Sequence, residues 1–279
     1  MVRLIAVALV LLVGAGLCFA LGGFCGWQWL WCLPLCVVGG AVGLIILYFL
    51  ILWISCLFVD VEKPQKKDSK YFRFLTYTTA QLAIWLVRAK IHTKGLEQTP
   101  KEGRFLLVCN HLHEIDPAVL LTNFKKNQLA FIAKQETKKM FLVGKVLHKL
   151  MCQLINREND REALKTIITC IRMIQEDQVS VAVFPEGYIK GDNLLHPFRS
   201  GVFKIAQKTK VPIVVCTMQN TQNVLKNFLK LKPTDVHLHL VGVVQPEEFA
   251  SMTTVDIANR VHAMMAEDLG PDKVFRETP

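Results

Sequence analysis

The chain has 279 residues, is 52% hydrophobic and carries a formal net charge of +10 at pH 7. That length holds one catalytic domain plus an appendage. With so apolar a sequence, the positive charge points to anionic lipid and phosphate as partners, and no nucleic-acid-binding motif is present. The nine cysteines contain no Cys-x2-Cys pair, so neither a zinc site nor a disulfide framework is indicated.

Residues 4–59 contain no Asp, Glu, Lys or Arg. A bilayer span takes about 20 apolar residues, so two spans fit, at residues 4–24 and 35–58. Between them lies Gly26-Trp27-Gln28-Trp29-Leu30-Trp31-Cys32-Leu33-Pro34, whose tryptophans suit a membrane interface. A rival reading makes residues 1–20 a cleaved signal peptide ending in Cys18-Phe19-Ala20. A lipoprotein anchor on Cys18 is disfavoured by the large Leu17, and the second span remains in either case. Lys63, Lys66, Lys67, Lys70 and Arg73 follow the second span, and the loop between the spans has no basic residue. Both ends of the hairpin are therefore expected on the cytoplasmic side. The expected organisation is a multi-pass cell-membrane protein, with residues 1–60 as anchor and residues 61–279 as a cytoplasmic domain.

Residues 70–88 read as a helix with Phe72, Leu75, Leu82, Trp85 and Leu86 as its apolar stripe, packed on the core or lying in the lipid interface. Residues 89–93 form the next expected strand, and the apolar run 105–109 reads as a buried one. That run stops at Asn110-His111-Leu112-His113-Glu114-Ile115-Asp116-Pro117. Asp116 is expected as the N-cap, and Pro117 as the first residue, of a short helix to residue 123. The tight connection would bring the Asp116 carboxylate onto the His111 ring, fixing its tautomer and freeing the other nitrogen to take a proton from a hydroxyl. Cys109 reads as a buried strand residue rather than a nucleophile. His111-x-His113 with Asp116 lacks the spacing of a metal-binding run.

Further strands are expected at residues 129–133, 152–155, 179–184, 211–218 and 236–244, and helices at 162–176, 203–208 and 254–269. Residues 136–150 mix Lys138, Lys139, Lys145 and Lys149 with Met140, Phe141, Leu142, Val146 and Leu147, which suits a basic, apolar patch touching the membrane. Strands alternating with helices predict an α/β sheet with helices on its faces. Several strands stop at function-capable residues, namely His111, Lys134, Arg157 and Glu186, and ligands gather where strand carboxyl ends meet. Cationic Lys134 and Arg157 near a hydroxyl-activating histidine point to a phosphate-bearing alcohol.

At this point residues 70–269 resemble the glycerolipid acyltransferases typified by 1-acylglycerol-3-phosphate acyltransferase. The family's Asn-His-x4-Asp motif resembles residues 110–116, and its Ala-Lys-x-Glu segment resembles Ala133-Lys134-Gln135-Glu136. Motif II resembles Leu154-Ile155-Asn156-Arg157 and motif III Phe184-Pro185-Glu186-Gly187. A following Phe-Lys-x-Gly resembles Phe198-Arg199-Ser200-Gly201, and motif IV resembles Val211-Pro212-Ile213-Val214. The resemblance implies a mixed sheet flanked by helices, here preceded by the two-helix membrane hairpin. It implies that His111 deprotonates the hydroxyl of a lysophosphatidate-like acceptor and that Asp116 orients His111. The alkoxide would then attack the thioester of an acyl-ACP (acyl carrier protein) or acyl-CoA donor, with no bound cofactor or metal. Arg157, helped by Lys134, would hold the acceptor phosphate, while Glu186 and Gly187 shape that site and Arg199 binds substrate.

Tyr188-Ile189 stands where the family usually has Thr-Arg, so a phosphate-gripping arginine is missing and Lys190 is the expected substitute. This departure keeps open another acceptor, a lyso-ornithine lipid or a lysophospholipid, and also a membrane scaffold without catalysis. Retention of both His111 and Asp116 argues for the enzyme.

Overall fold

The structure, a computed structural model, describes residues 2–22, 26–157 and 159–275. It divides into two compact units, Met1–Lys63 and Pro64–Pro279.

In the first unit, helices α1 (Val2–Ala20) and α2 (Trp29–Leu57) are each long and apolar enough to cross a membrane. They pack through small residues, which let two helix backbones approach. A Cβ on Gly14 would stand 2.6 Å from Val37 Cα. The first span was expected to reach Phe24, which lies outside the described residues. The break expected through Pro34 is shorter, because α2 already begins at Trp29 and runs through the proline. Pro34 sits in the second turn, where its missing N–H forfeits a single intrahelical bond.

The second unit is built on seven strands: β1 (Ala89–Lys94), β2 (Leu106–Cys109), β3 (Leu129–Lys134), β4 (Gln153–Ile155), β5 (Ser180–Val183), β6 (Ile213–Gln219) and β7 (Thr234–Val244). Their order is β1-β7-β6-β2-β5-β3-β4. Five run parallel from β6 to β4, and β7 lies antiparallel on β6 with β1 parallel beside it. The sheet is therefore mixed.

Both faces are covered, as near-continuous apolar strands require. Alternation along β2 sends Leu107 and Cys109 into one core and Leu106 and Val108 into the other. The first core is closed by α3 (Lys70–Leu86) and α4 (Asp116–Asn123). The second is closed by α6 (Asp160–Gln175), α7 (Lys204–Thr209) and α9 (Thr254–Leu269), the α5 and α8 segments being Val143–Lys149 and Val224–Leu229. At β2 all four residues are buried.

The structure refines the reading of α3 and α5. Helix α3 buries Phe72, Leu75, Ala80 and Ile84 against the core, while Trp85 and Leu86, at the end of the expected apolar stripe, are exposed. Arg73, counted among the free positive charges after the second span, is buried. Its guanidinium donates to both oxygens of Asp68 and to the Leu129 carbonyl. The 136–150 stretch is split into a 3-10 turn, Gln135–Lys139, and α5, with Leu142 at φ +63° between them. Met140 and Phe141 are exposed at that break.

Candidate active site

Strand β2 ends at Asn110, whose buried side chain donates to the Met218 carbonyl at 2.9 Å and accepts from the Met218 N–H at 2.7 Å. This clamp ties the end of β2 to β6, and the next residue is His111. Its Nδ1 lies 2.8 Å from Asp116 Oδ2. The same oxygen accepts the Leu112 and His113 N–H groups at 2.7 and 2.9 Å. Asp116 is fully buried, whereas the His111 side chain retains 18% exposure. With Nδ1 so engaged, the Nε2 edge is left to a substrate and has no hydrogen-bond partner among the described residues.

Asp116 does not cap α4 as expected. Ile115 occupies the N-cap position and Asp116 is the first helical residue. Its carboxylate turns back onto the loop because three N–H donors converge there. His113 is occupied locally, its Nδ1 accepting the Ile115 N–H at 3.2 Å.

Two residues act on His111 from the loop after β5. The Phe184 ring stacks on the imidazole, with centroids 4.1 Å apart and planes 16° from parallel. Glu186, buried, accepts the His111 backbone N–H at 2.9 Å with one oxygen and the His196 N–H at 3.0 Å with the other. Burial raises the Glu186 carboxyl above its ordinary range, and the two N–H groups partly offset that shift. Glu186 thus shapes the site by holding backbone.

A cavity of about 840 Å³ opens next to this loop, lined by Phe184, Pro185 and Gly187 together with Arg157, Arg199 and Lys204. Ile132, Ile155, Leu164, Ile167 and Val183 give it an apolar wall. Burial, and then the neighbouring Arg199 cation, lower the Arg157 pKa, the signature of two cations crowded at one place. Gly187 has φ +90°, and a Cβ there would stand 3.0 Å from Arg199 Nε. Only glycine permits both that backbone conformation and that approach.

The structure therefore brings together His111, Asp116, Glu186 and Gly187, and places Arg157 and Arg199 beside them. It does not bring in the two lysines. Lys134 is exposed and pairs with Glu136 at 3.4 Å. Lys190 lies over the Tyr188 ring at 4.6 Å from its centroid, outside the cavity lining.

Cys109 is fully buried and its thiol is pushed well up by burial, which suits a core residue and not a nucleophile. Sequence reasoning did not single out Phe184 or Asn110 beyond their place in motifs, and it passed over His196 and Lys204. Only the Asn before His111 carried a signal, as a polar residue closing an apolar strand.

A carboxylate-held imidazole thus stands at the carboxyl end of a central parallel strand, beside a basic cleft, an arrangement in which the free ring nitrogen can take a proton from a hydroxyl. The Acyltransferase family model matches residues 90–219, which contain every one of these residues. The chain is similar to a 1-acyl-sn-glycerol-3-phosphate acyltransferase of Borreliella burgdorferi, 27% identical over 173 residues, covering 61% of this chain and 68% of that one. It is also similar to one of Cocos nucifera, 24% identical over 194 residues, covering 69% and 62%. The crystal structure of the 1-acyl-sn-glycerophosphate acyltransferase PlsC of Thermotoga maritima shares the fold. Its TM-score is 0.62 at 20% identity, covering 83% of this chain and 91% of that one. Residues 90–219 thus carry the match to the acyltransferase model, and the chain is similar over most of its length to these acyltransferases.

Proposed function

We propose that the enzyme moves a fatty acyl group from an acyl-ACP or acyl-CoA thioester to the free hydroxyl of 1-acylglycerol-3-phosphate, giving phosphatidic acid for phospholipid synthesis. The observation that carries this reading is the His111–Asp116 contact with the Nε2 edge unengaged, next to the paired Arg157 and Arg199. In the reaction His111 Nε2 takes the proton of the acceptor hydroxyl. The alkoxide oxygen forms a bond to the thioester carbon, and the tetrahedral intermediate collapses by breaking the carbon–sulfur bond. The imidazolium returns its proton to the departing thiolate, so the histidine ends as it began. Asp116, anionic and buried, holds the Nδ1–H tautomer and stabilises the transient imidazolium. Arg157 and Arg199 take the acceptor phosphate through charge-assisted hydrogen bonds. In this reading α1 and α2 hold the enzyme in the bilayer, multi-pass, with the catalytic unit on the cytoplasmic side, where thioester donors are found.

A second acceptor, a lyso-ornithine lipid or another lysophospholipid, draws support from Ile189 and from Lys190 lying on Tyr188, which leave the cleft short of one cation. Acyl transfer in detergent separates the two. Lysophosphatidate is compared with a lyso-lipid lacking the phosphate, from both donors, for wild type and His111→Ala. Preference for lysophosphatidate with an inactive variant supports the first reading. Indifference to the phosphate selects the second, and an active His111→Ala removes the histidine from both.

A further inference from the structure

Residues 270–275 follow α9 and run back to the loop that carries the catalytic motif. The Leu195 N–H donates to the Lys273 carbonyl at 2.7 Å, and the Phe275 N–H donates to the Leu195 carbonyl at 3.0 Å. These two bonds make a one-residue parallel bridge between Leu195 and Val274. The Phe275 ring packs on the buried His196 ring, with centroids 4.5 Å apart. His196 Nε2 lies 2.8 Å from Asp192 Oδ2, and its backbone N–H donates to Glu186. The other oxygen of Glu186 accepts the His111 N–H. An unbroken series of contacts thus runs from the C-terminal segment to the backbone of the histidine that bears the reactive imidazole.

We propose that Phe275 and His196 are positioning residues, and that the segment Lys273–Phe275 latches the 192–196 loop so that Glu186 holds His111 in register with Asp116. The proposal rests on His111 acting as the base. Leu195 anchors the loop in the second core, but His196 itself is held from this side by the C-terminal segment and by Asp192, which is exposed and whose bond to His196 lies within the loop. Glu186 is shared between two N–H donors, so a loop that drifts carries the carboxylate with it. The His111 N–H then loses its carboxylate partner, leaving Asn110 on one side and the Asp116 contacts on the other to position the residue. A misplacement of about 1 Å at a reacting group costs on the order of 100-fold in rate.

The test compares four proteins with the wild type: the full-length variants Phe275→Ala, Phe275→Tyr and His111→Ala, and a chain shortened to end at Gly270. The readouts are kcat and KM for each substrate, normalised to folded protein by circular dichroism, with Tm measured alongside. Phe275 is partly exposed, so its truncation leaves the core packing intact and keeps the test valid if the shortened chain folds poorly. The expected result is a fall of about 10- to 100-fold in kcat for Phe275→Ala, both KM values within twofold of wild type, and recovery in Phe275→Tyr. Unchanged kcat in Phe275→Ala overturns the latch, as does a loss that merely follows the folded fraction. An active His111→Ala overturns the underlying reading instead, so the two failures are distinguishable.

Discussion

Replacing Asp116 by Asn removes one charge and almost no volume, and the structure says how far activity should fall. Oδ2 receives three donors, two of them backbone N–H groups fixed by the chain. Turning the amide so that its NH2 faced these two would set donor against donor, so the Asn oxygen should stay where Oδ2 is. The His111 tautomer is then kept and only the stabilisation of the imidazolium is lost. Unit charges about 4 Å apart at an effective dielectric constant of about 20 interact by about 4 kcal/mol. At 1.36 kcal/mol per decade that is a loss of roughly 10³-fold in kcat. The new NH2 replaces Oδ1, which has no protein partner, and burying it unpaired costs a further 1–3 kcal/mol or so of stability. Thiol release from an acyl-CoA donor, followed continuously, reads the rate, and thermal unfolding reads the stability. A variant within about threefold of wild-type kcat would refute the role given to the carboxylate.

Three further outcomes follow from the same geometry. Arg199→Ala should raise KM for lysophosphatidate by about 10- to 100-fold, one charge-assisted bond's worth, and leave a phosphate-free lyso-lipid unaffected in parallel assays. Gly187→Ala, forced to φ +90° with its methyl on Arg199, should lose about 1–2 kcal/mol in denaturant unfolding and show the same acceptor defect more weakly. Burial raises the Glu186 carboxyl, so the folded chain keeps that proton to higher pH than the unfolded chain. That contribution to stability is full below the ordinary carboxylate value and is lost as pH rises through the raised one. Glu186→Gln, which cannot titrate, should therefore show a flatter dependence of Tm on pH than wild type between about pH 4 and 7.

The alternation of apolar runs with helical stretches was enough to place all seven strands: the central β2, β5 and β6 read as apolar blocks because both their faces are buried, whereas β1 and β7 are partly exposed. The dyad was legible for a related reason: an apolar strand that ends in Asn-His and meets Asp-Pro leaves little room for any other arrangement. Long flexible side chains were not legible in this way. Lys134 and Lys190 stand at the right places in the chain, but their tips meet Glu136 and the Tyr188 ring. The burial of Arg73 on α3 was not legible either, because its partners Asp68 and the Leu129 carbonyl cannot be read from helical periodicity. His196 carried no signal, since its importance lies in a backbone N–H and in a ring that meets the far end of the chain.

The dyad hangs from β2, the strand with two parallel neighbours and a core on either face. Backbone amides in such a strand exchange with solvent only when the whole domain opens, whereas peripheral segments open on their own at much lower cost. The reactive pair therefore shares the lifetime of the domain itself. On slow heating, hydrogen exchange at Leu107 and Val108 and the loss of bound catalytic geometry should set in together. The C-terminal bridge and the exposed break at Met140 and Phe141 should loosen earlier.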